Sequence, residues 1–239
     1  MSTRTNNLGQ AIGAVADGWS VRSRPPRLPI EGRFCRIEPL NVAEHGSSLY
    51  KSLSRDTSGA NWTYLGYEPF ADEKACLKWL EESCLHNDPL FYTILETSSG
   101  KSVGLASLMR IDVLNGVIEV GNIHYSPLLQ RRPAATEAMF LLMRRVFDEL
   151  GYRRYEWKCD SLNGPSRNAA VRLGFRYEGL FRQAVVYKGR NRDTAWFSII
   201  DREWPSIRAA YEEWLDPSNF DAQQHQRTPL GKLIEAHRN

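Results

Sequence analysis

One carboxylate lies within an otherwise apolar stretch of the sequence, and it is the residue with the clearest chemical potential. Glu119 has Val117, Ile118, Val120 and Ile123 as its neighbours. A carboxyl group in apolar surroundings can have a raised pKa, which a general base working near neutral pH requires. The other interpretation is a solvent-facing glutamate on a half-exposed strand. The local sequence is compatible with both.

Three further side chains could transfer protons or act as nucleophiles. The Ser166 hydroxyl could donate a proton or hold a water molecule, and it could equally cap a helix. His124 could serve as a base, or it could face solvent. Cys159 could form a covalent intermediate, but a lone cysteine at the end of a strand is more often a small buried residue.

A predicted helix that begins at Pro133 offers a site for an anion. Its apolar residues recur four positions apart, at Ala138, Leu142, Val146 and Leu150. Gly151 ends this pattern, which therefore predicts a buried helix over 133–151. A helix N-terminus presents unpaired amides and a partial positive charge, and a phosphate group needs both. Arg131 and Arg132 could add charged contacts there or could simply be solvated.

The elements that position these residues alternate along the chain. Apolar alternation predicts strands over 34–40, 90–96, 102–110, 116–125, 154–158, 183–188 and 194–200. Helical spacing predicts helices over 42–53, from Asp72 to about Asn87, over 133–151 and 165–173, and from Asp201 through Trp214. Turn residues separate the three strands between 90 and 125, which indicates an antiparallel meander. The order predicts an α/β fold with a layered sandwich architecture.

The two ends of the chain differ in composition from this middle part. Residues 1–32 are rich in Gly, Ser, Arg and Pro, which predicts an extended N-terminal arm. Residues 205–239 should continue the last helix and then form a loosely ordered tail, because Gln223, Gln224 and Gln226 lie in a polar stretch.

Charge and cysteine usage exclude several classes of protein. The 31 basic and 28 acidic residues give a net charge of +3, which provides little attraction for a long nucleic acid. The four cysteines have no paired spacing, so we expect neither a metal site nor a disulfide scaffold. The sequence has no apolar run of the roughly 20 residues that a membrane span needs, and no signal peptide. We therefore expect a cytoplasmic protein with no membrane partner.

Several short motifs together resemble the acetyl-CoA-binding core of GNAT N-acetyltransferases. They are Val117-Ile118-Glu119-Val120-Gly121, Ser126-Pro127, and Gln130-Arg131-Arg132-Pro133-Ala134-Ala135-Thr136-Glu137-Ala138. Asn163, Ser166, Gly174-Phe175 and Glu178-Gly179 resemble the RimJ/RimL-like subgroup. Each motif is short, and their shared order and spacing carry the resemblance. It covers about 33–204 and implies a mixed, mostly antiparallel central sheet with helices on both faces.

The resemblance implies a binding role for two parts of the chain. The pyrophosphate of acetyl-CoA would bind the loop and helix start, at Gln130, Arg131, Arg132, Ala134, Ala135 and Thr136. The pantetheine arm would bind the exposed strand edge at Ile123, His124 and Tyr125, with Asn163 opposite, although Asn163 could also simply form a turn. Pro133 stands where the family motif has Gly, so one amide donor is lost and a positive φ is impossible there. We interpret this as a variant loop.

The resemblance also implies catalytic roles. Glu119 occupies the position of a base or water-holding glutamate, and it would help an amine attack acetyl-CoA directly. Ala170 stands where many relatives have a tyrosine acid, so Ser166 or water would protonate the departing thiolate. Val185 follows Gln183-Ala184 where ribosomal relatives have an acidic residue, which argues against a ribosomal substrate.

The acceptor would be a small-molecule amine or a peptide N-terminus, and a homodimer is possible. A non-catalytic CoA-binding or interaction module is the alternative, motivated by Pro133 and Ala170. An RNA-associated protein is a third interpretation, based on aromatic residues beside arginines in 152–155 and on the basic segment 188–192. The nearly balanced charge argues against it.

Overall fold

The computed structural model describes residues 4–223 and 225–238. Its strands are β1 (Arg4–Thr5), β2 (Ala11–Ile12), β3 (Ile30–Glu31), β4 (Cys35–Pro39), β5 (Leu90–Glu96), β6 (Ser102–Asp112), β7 (Val117–Tyr125), β8 (Arg154–Asp160), β9 (Arg176–Tyr187) and β10 (Arg190–Ile200). Its helices are α1 (Val42–Leu53), α2 (Glu73–Ser83), α3 (Pro133–Arg144), α4 (Gly164–Arg172), α5 (Trp204–Leu215) and α6 (Leu230–Arg238).

Eight strands form the central sheet in the order β3-β4-β5-β6-β7-β8-β10-β9. All neighbours are antiparallel except β7 and β8, which run parallel. This parallel pair extends only from Val117 opposite Arg154 to Val120 opposite Trp157. Beyond that point the two strands diverge. The predicted mixed, mostly antiparallel sheet is confirmed, and the divergence creates an opening within it.

Helices cover both faces of the sheet, as predicted. Residues of α1 and α2 pack with Phe91 and Leu105 on one face. Residues of α3, α4, α5 and α6 pack on the other face in the larger core. The helix starts follow from local capping, since Asn41 accepts a hydrogen bond from Ala43 N and Asp72 accepts one from Ala75 N.

A β-bulge in β7 changes which side chains face α3. Asn122 has φ 48°, and the pairing with β6 shifts between Gly121 and His124. The extra residue reverses the alternation, so Val120 and Ile123 both pack on the α3 side. His124 and Glu119 consequently point to the opposite face.

Three sequence predictions need correction. Helix α3 ends at Arg144, and a wider π-helical turn from Arg145 to Glu149 completes the predicted helix. Strand β9 begins at Arg176 rather than 183, so the β9–β10 hairpin is longer than expected. The predicted loosely ordered tail is wrong for most of its described length, because α6 buries Leu230, Leu233 and Ile234.

Side chains of the rest of the fold donate hydrogen bonds to backbone carbonyls of the N-terminal arm. Arg145 donates from Nη1 to Leu28 O at 2.6 Å and from Nη2 to Pro29 O at 3.2 Å. Tyr92 donates to Pro26 O, and Tyr152 donates to Ser23 O. The arm therefore lies as a strap along the fold before β3. Within the described ranges, no helix has the length and apolarity to cross a membrane.

Candidate active site

A cavity of about 970 Å³ opens where β7 and β8 diverge. It continues over the start of α3, along α4, and to a wall formed by the end of the chain. The residues that line it are Ala60, Asn61, Tyr64, Ile123, His124, Tyr125, Gln130, Arg131, Arg132, Pro133, Ala135, Thr136, Met139, Trp157, Asn163, Pro165, Ser166, Ala169, Arg172, Leu173, Trp214, Phe220, His225 and Gln226. Nearly all of the residues predicted to bind the cofactor lie in this lining.

The loop before α3 compensates for the proline in the motif. Pro133 occupies the first turn, where its missing N–H leaves no helix bond unmade. The left-handed conformation occurs at Arg131 instead, with φ 59°. The Arg132 amide donates to Leu129 O, and the Ala135 amide donates to Arg132 O. The amides of Arg132 and Ala135 are therefore already used within the loop.

The remaining donors suit an anion. The amides of Arg131 and Ala134 make no such backbone contact among the described residues. A left-handed residue followed by a helix start arranges successive N–H groups into a concave anion site. Thr136 adds a buried hydroxyl, which accepts a hydrogen bond from Arg172 Nη2 at 2.9 Å. Sequence reasoning missed Arg172, because its contact with α3 joins two distant segments.

The side chain of Gln130 is bonded within the protein, which limits its availability to the predicted pyrophosphate. Its Nε2 donates to Tyr125 O at 2.9 Å and to Asn61 Oδ1 at 2.8 Å. These bonds fix the turn after β7 and connect it with the loop near Asn61. The Gln130 side-chain amide thus organises the loop, and the Tyr125 carbonyl at the edge of β7 already accepts a hydrogen bond.

His124 does not face solvent, contrary to one of the two interpretations. Its ring is buried, packs edge-on against Trp62 at 4.6 Å, and places Nδ1 3.0 Å from Tyr67 Oη. Burial lowers its pKa to about 4. The imidazole is therefore neutral near pH 7 and is a weak base.

Ser166 lies inside the cavity with its oxygen already oriented. The indole Nε1 of Trp157 donates to Ser166 Oγ at 3.0 Å, and the hydroxyl proton can turn toward the cavity or toward the Cys159 sulfur. Asn163, not Ser166, is the N-cap of α4, and its Oδ1 accepts from Ser166 N at 3.1 Å. The alternative role of Ser166 as a helix cap is wrong.

Glu119 lies outside the cavity lining, at the closed end of the opening between β7 and β8. Glu119 lies opposite Glu156 in the parallel pairing of β7 with β8. The next pair, Val120 with Trp157, is the last one before the strands diverge. The Glu119 side chain is on the face opposite α3. Burial raises the pKa of Glu119, while Lys158 and Arg110 oppose the shift. The Lys158 ammonium lies 2.8 Å and the Arg110 Nε 3.2 Å from Oε2.

On the Glu119 side of the sheet, the tip of the β9–β10 hairpin contacts the loop that contains Trp62 and Thr63, and we call this contact the bridge. At the tip of the β9–β10 hairpin, Lys188 Nζ donates to Trp62 O at 2.8 Å and Arg190 Nη2 donates to Thr63 O at 2.7 Å. In the same loop, Trp62 is buried and Tyr64 lines the cavity.

Cys159 is buried, and burial raises the pKa of its thiol. A raised pKa keeps the sulfur protonated and argues against a covalent mechanism.

Comparisons with known proteins agree with this geometry. Residues 37–176 match the family model described as an acetyltransferase (GNAT) domain. A crystal structure of a GCN5-related N-acetyltransferase from Brucella melitensis is similar at 50% identity and TM-score 0.89, covering 91% of this chain and 99% of that one. A probable acetyltransferase of the GNAT family from Chromobacterium violaceum has 39% identity and TM-score 0.76, covering 81% and 96%. The uncharacterized N-acetyltransferase p20 of Bacillus licheniformis is 27% identical over 148 residues, or 59% of this chain and 80% of that protein.

Proposed function

This chain belongs to the GNAT acetyltransferase family, and we propose that it transfers the acetyl group of acetyl-CoA to a primary amine by direct attack. The observation that carries the proposal is the continuity of one cavity from the opening between β7 and β8 to the start of α3. A thioester and a pyrophosphate have to be held at two separated points, and the cavity offers chemistry suited to each. The amides beside Pro133 suit the pyrophosphate, and the opening suits the acyl end.

The two proposed proton-transfer residues lie on opposite faces of the sheet. Ser166 and the start of α3 line the cavity on one face of the sheet, and the Glu119 carboxylate lies on the opposite face at the end of the opening. An amine that approaches from the Glu119 face can reach a thioester held between the strands. Glu119 accepts a proton from the ammonium form or from the attacking nitrogen, either directly or through water.

Collapse of the tetrahedral intermediate completes the transfer. The amine nitrogen forms the new bond to the acetyl carbon, the carbon–sulfur bond breaks, and the electron pair leaves with sulfur. The Ser166 hydroxyl, oriented by Trp157, is placed to give its proton to the thiolate and to recover one from solvent. The products are an N-acetyl amine and CoA.

The proposed acceptor class rests on the bridge between the β9–β10 hairpin and the loop at Trp62. Lys188 Nζ at the hairpin tip donates to Trp62 O, and this contact favours a slender acceptor over a folded surface. We therefore propose a small-molecule amine or a flexible peptide N-terminus. The RimJ/RimL-like assignment belongs with this proposal, and it rests on Asn163, Ser166 and Gly174-Phe175.

Two measurements on the purified protein test the proposal. Acetyl-CoA should raise the melting temperature, because a ligand that binds only the folded state stabilises it. A panel of polyamines, amino sugars, amino-acid conjugates and short peptides should then contain at least one amine that releases CoA thiol from acetyl-CoA. A melting shift without thiol release from any amine would favour a non-catalytic CoA-binding module. No shift at millimolar acetyl-CoA would contradict the cofactor assignment.

A further inference from the structure

The end of the chain forms a wall of the cavity, although it lies beyond the residues that match the family model. This wall includes Trp214 at the end of α5 and the C-terminal loop, defined as residues 216–223 and 225–229. Phe220, His225 and Gln226 of the loop line the same cavity as the start of α3.

Internal hydrogen bonds hold the C-terminal loop in one conformation. Asn219 Nδ2 donates to Trp214 O at 3.0 Å, and Asn219 Oδ1 accepts from Thr228 N at 2.8 Å. Phe220 and Gln226 pair across the loop as an antiparallel bridge. The loop is therefore prearranged, so ordering it for a ligand costs little conformational entropy.

Polar groups of the wall face the cavity. Gln226 Oε1 accepts from Trp214 Nε1 at 2.8 Å, which leaves the Gln226 amide protons available to a ligand. His225 Nδ1 lies 3.4 Å from Asp221 Oδ2, which orients the ring, and the protonated ring presents Nε2–H as a donor to an anion. Trp214 and Phe220 supply a buried apolar base beneath them.

Arg172 connects this wall to the predicted phosphate site. Its Nη2 donates to Thr136 Oγ1 near the start of α3, and its guanidinium lies 5.8 Å from the centre of the Trp214 ring. The cavity thus has three consecutive regions: the opening with Ser166, the α3 start with Arg131, and the C-terminal wall. Its volume of about 970 Å³ is near the upper end of the roughly 300–1,000 Å³ of small-molecule pockets.

We propose that the C-terminal loop binds the adenosine 3′-phosphate end of acetyl-CoA, an inference that rests on the proposed function. If the acyl end occupies the opening and the pyrophosphate occupies the α3 start, the remaining nucleoside end extends to the far wall. The Gln226 amide donates to the adenosine, and His225 with Arg172 contacts the 3′-phosphate. Trp214 positions Gln226.

Three probes separate this role from general binding: acetyl-CoA, acetyl-3′-dephospho-CoA and S-acetylpantetheine, which lacks the nucleotide. Affinity is measured for wild-type protein, His225→Ala, Gln226→Ala and the matched control Gln223→Ala, an exposed residue of the same loop outside the cavity lining. His225→Ala should bind acetyl-CoA about 2- to 12-fold more weakly, the range for one hydrogen bond, and lose less with the dephospho form. Gln226→Ala should weaken both nucleotides similarly.

S-acetylpantetheine should bind all four proteins equally, and Gln223→Ala should bind every probe as wild type does. Melting temperatures without ligand establish that the variants are folded. Unchanged acetyl-CoA affinity in both His225→Ala and Gln226→Ala would overturn the inference while leaving the proposed function intact. Equal weakening for S-acetylpantetheine would also overturn it. Failure of the wild-type protein to bind acetyl-CoA would instead overturn the proposed function, and this inference with it.

Discussion

Lys158 and Glu119 form a buried ion pair on two strands that diverge just beyond it. Lys158 Nζ lies 2.8 Å from Glu119 Oε2 and 2.7 Å from Glu156 Oε2, and it also lies 3.7 Å from the centre of the Trp196 ring. One ammonium thus stabilises two carboxylates. Lys158 therefore affects the pKa of Glu119, the proposed base, at the closed end of the opening.

Removal of that ammonium should change the pH dependence of turnover. As the proposed base, Glu119 must be deprotonated to accept a proton, so kcat should fall as pH falls through its pKa. Lys158 lowers that pKa against the effect of burial. Lys158→Met should therefore raise the pKa and move the acid limb of the kcat–pH profile to higher pH.

Arg110→Met provides the matched control for this profile. Arg110 contacts the same oxygen at 3.2 Å, but its side chain is 59% exposed and solvent screens its charge. We expect a smaller shift in the same direction. Superimposable acid limbs for wild type and Lys158→Met would mean that the titrating group in the rate profile is not Glu119.

The proposed role of Ser166 as proton donor can be tested by comparing substitutions of Ser166 and of its hydrogen-bond partner Trp157. Ser166→Ala should slow acetyl transfer while leaving acetyl-CoA affinity within a few-fold, because the proposed proton donor would act only in the transition state. It also leaves the buried Trp157 Nε1 without its acceptor, which should lower stability by about 1–3 kcal/mol.

Trp157→Phe distinguishes these two effects. It removes the indole donor but keeps the serine hydroxyl, so it should slow transfer less than Ser166→Ala does. Rates are measured in single turnovers and stabilities by denaturant unfolding. If Ser166→Ala keeps the wild-type rate and loses only stability, water becomes the proton donor.

Glu137 should be a stability residue rather than a catalytic one. Its buried carboxylate accepts hydrogen bonds from the backbone amides of Arg33, Phe34 and Cys35, at 2.8, 2.6 and 2.9 Å. Glu137→Gln replaces a charged acceptor, so we expect unfolding free energy to fall by about 1.5–3 kcal/mol.

Glu212→Gln is the control for that change, because its pair with Arg208 is exposed and should contribute about 0–1 kcal/mol. Both variants are compared by denaturant unfolding. Equal stability losses would show that the three backbone contacts of Glu137 contribute no more than a surface ion pair.

Local features allowed much of the fold to be predicted from sequence. The caps Asn41 and Asp72 and the apolar spacing of α3 act within one or two helical turns, so they can be recognised without partners. The α6 helix was missed although Leu230, Leu233 and Ile234 have helical spacing, because the polar residues before it dominated the interpretation.

The contacts within the candidate site were harder to predict from the sequence, because they join distant segments of the chain. A short motif predicts a binding role for Thr136, but its partner Arg172 belongs to another helix. The apolar neighbours of Glu119 make it stand out in the sequence, whereas its ion pair depends on the parallel pairing of β7 with β8. The C-terminal wall could not be inferred, since no short motif connects Gln226 to the start of α3.

The most direct test of the account is the single-turnover rate of acetyl transfer in Glu119→Gln, measured with an amine that the wild-type protein accepts. Acetyl-CoA affinity is measured on the same preparation. The account predicts affinity within about twofold of wild type and a rate about 100- to 10,000-fold lower, the range for loss of a general base. A wild-type rate in Glu119→Gln would contradict it and would remove this carboxylate from the reaction.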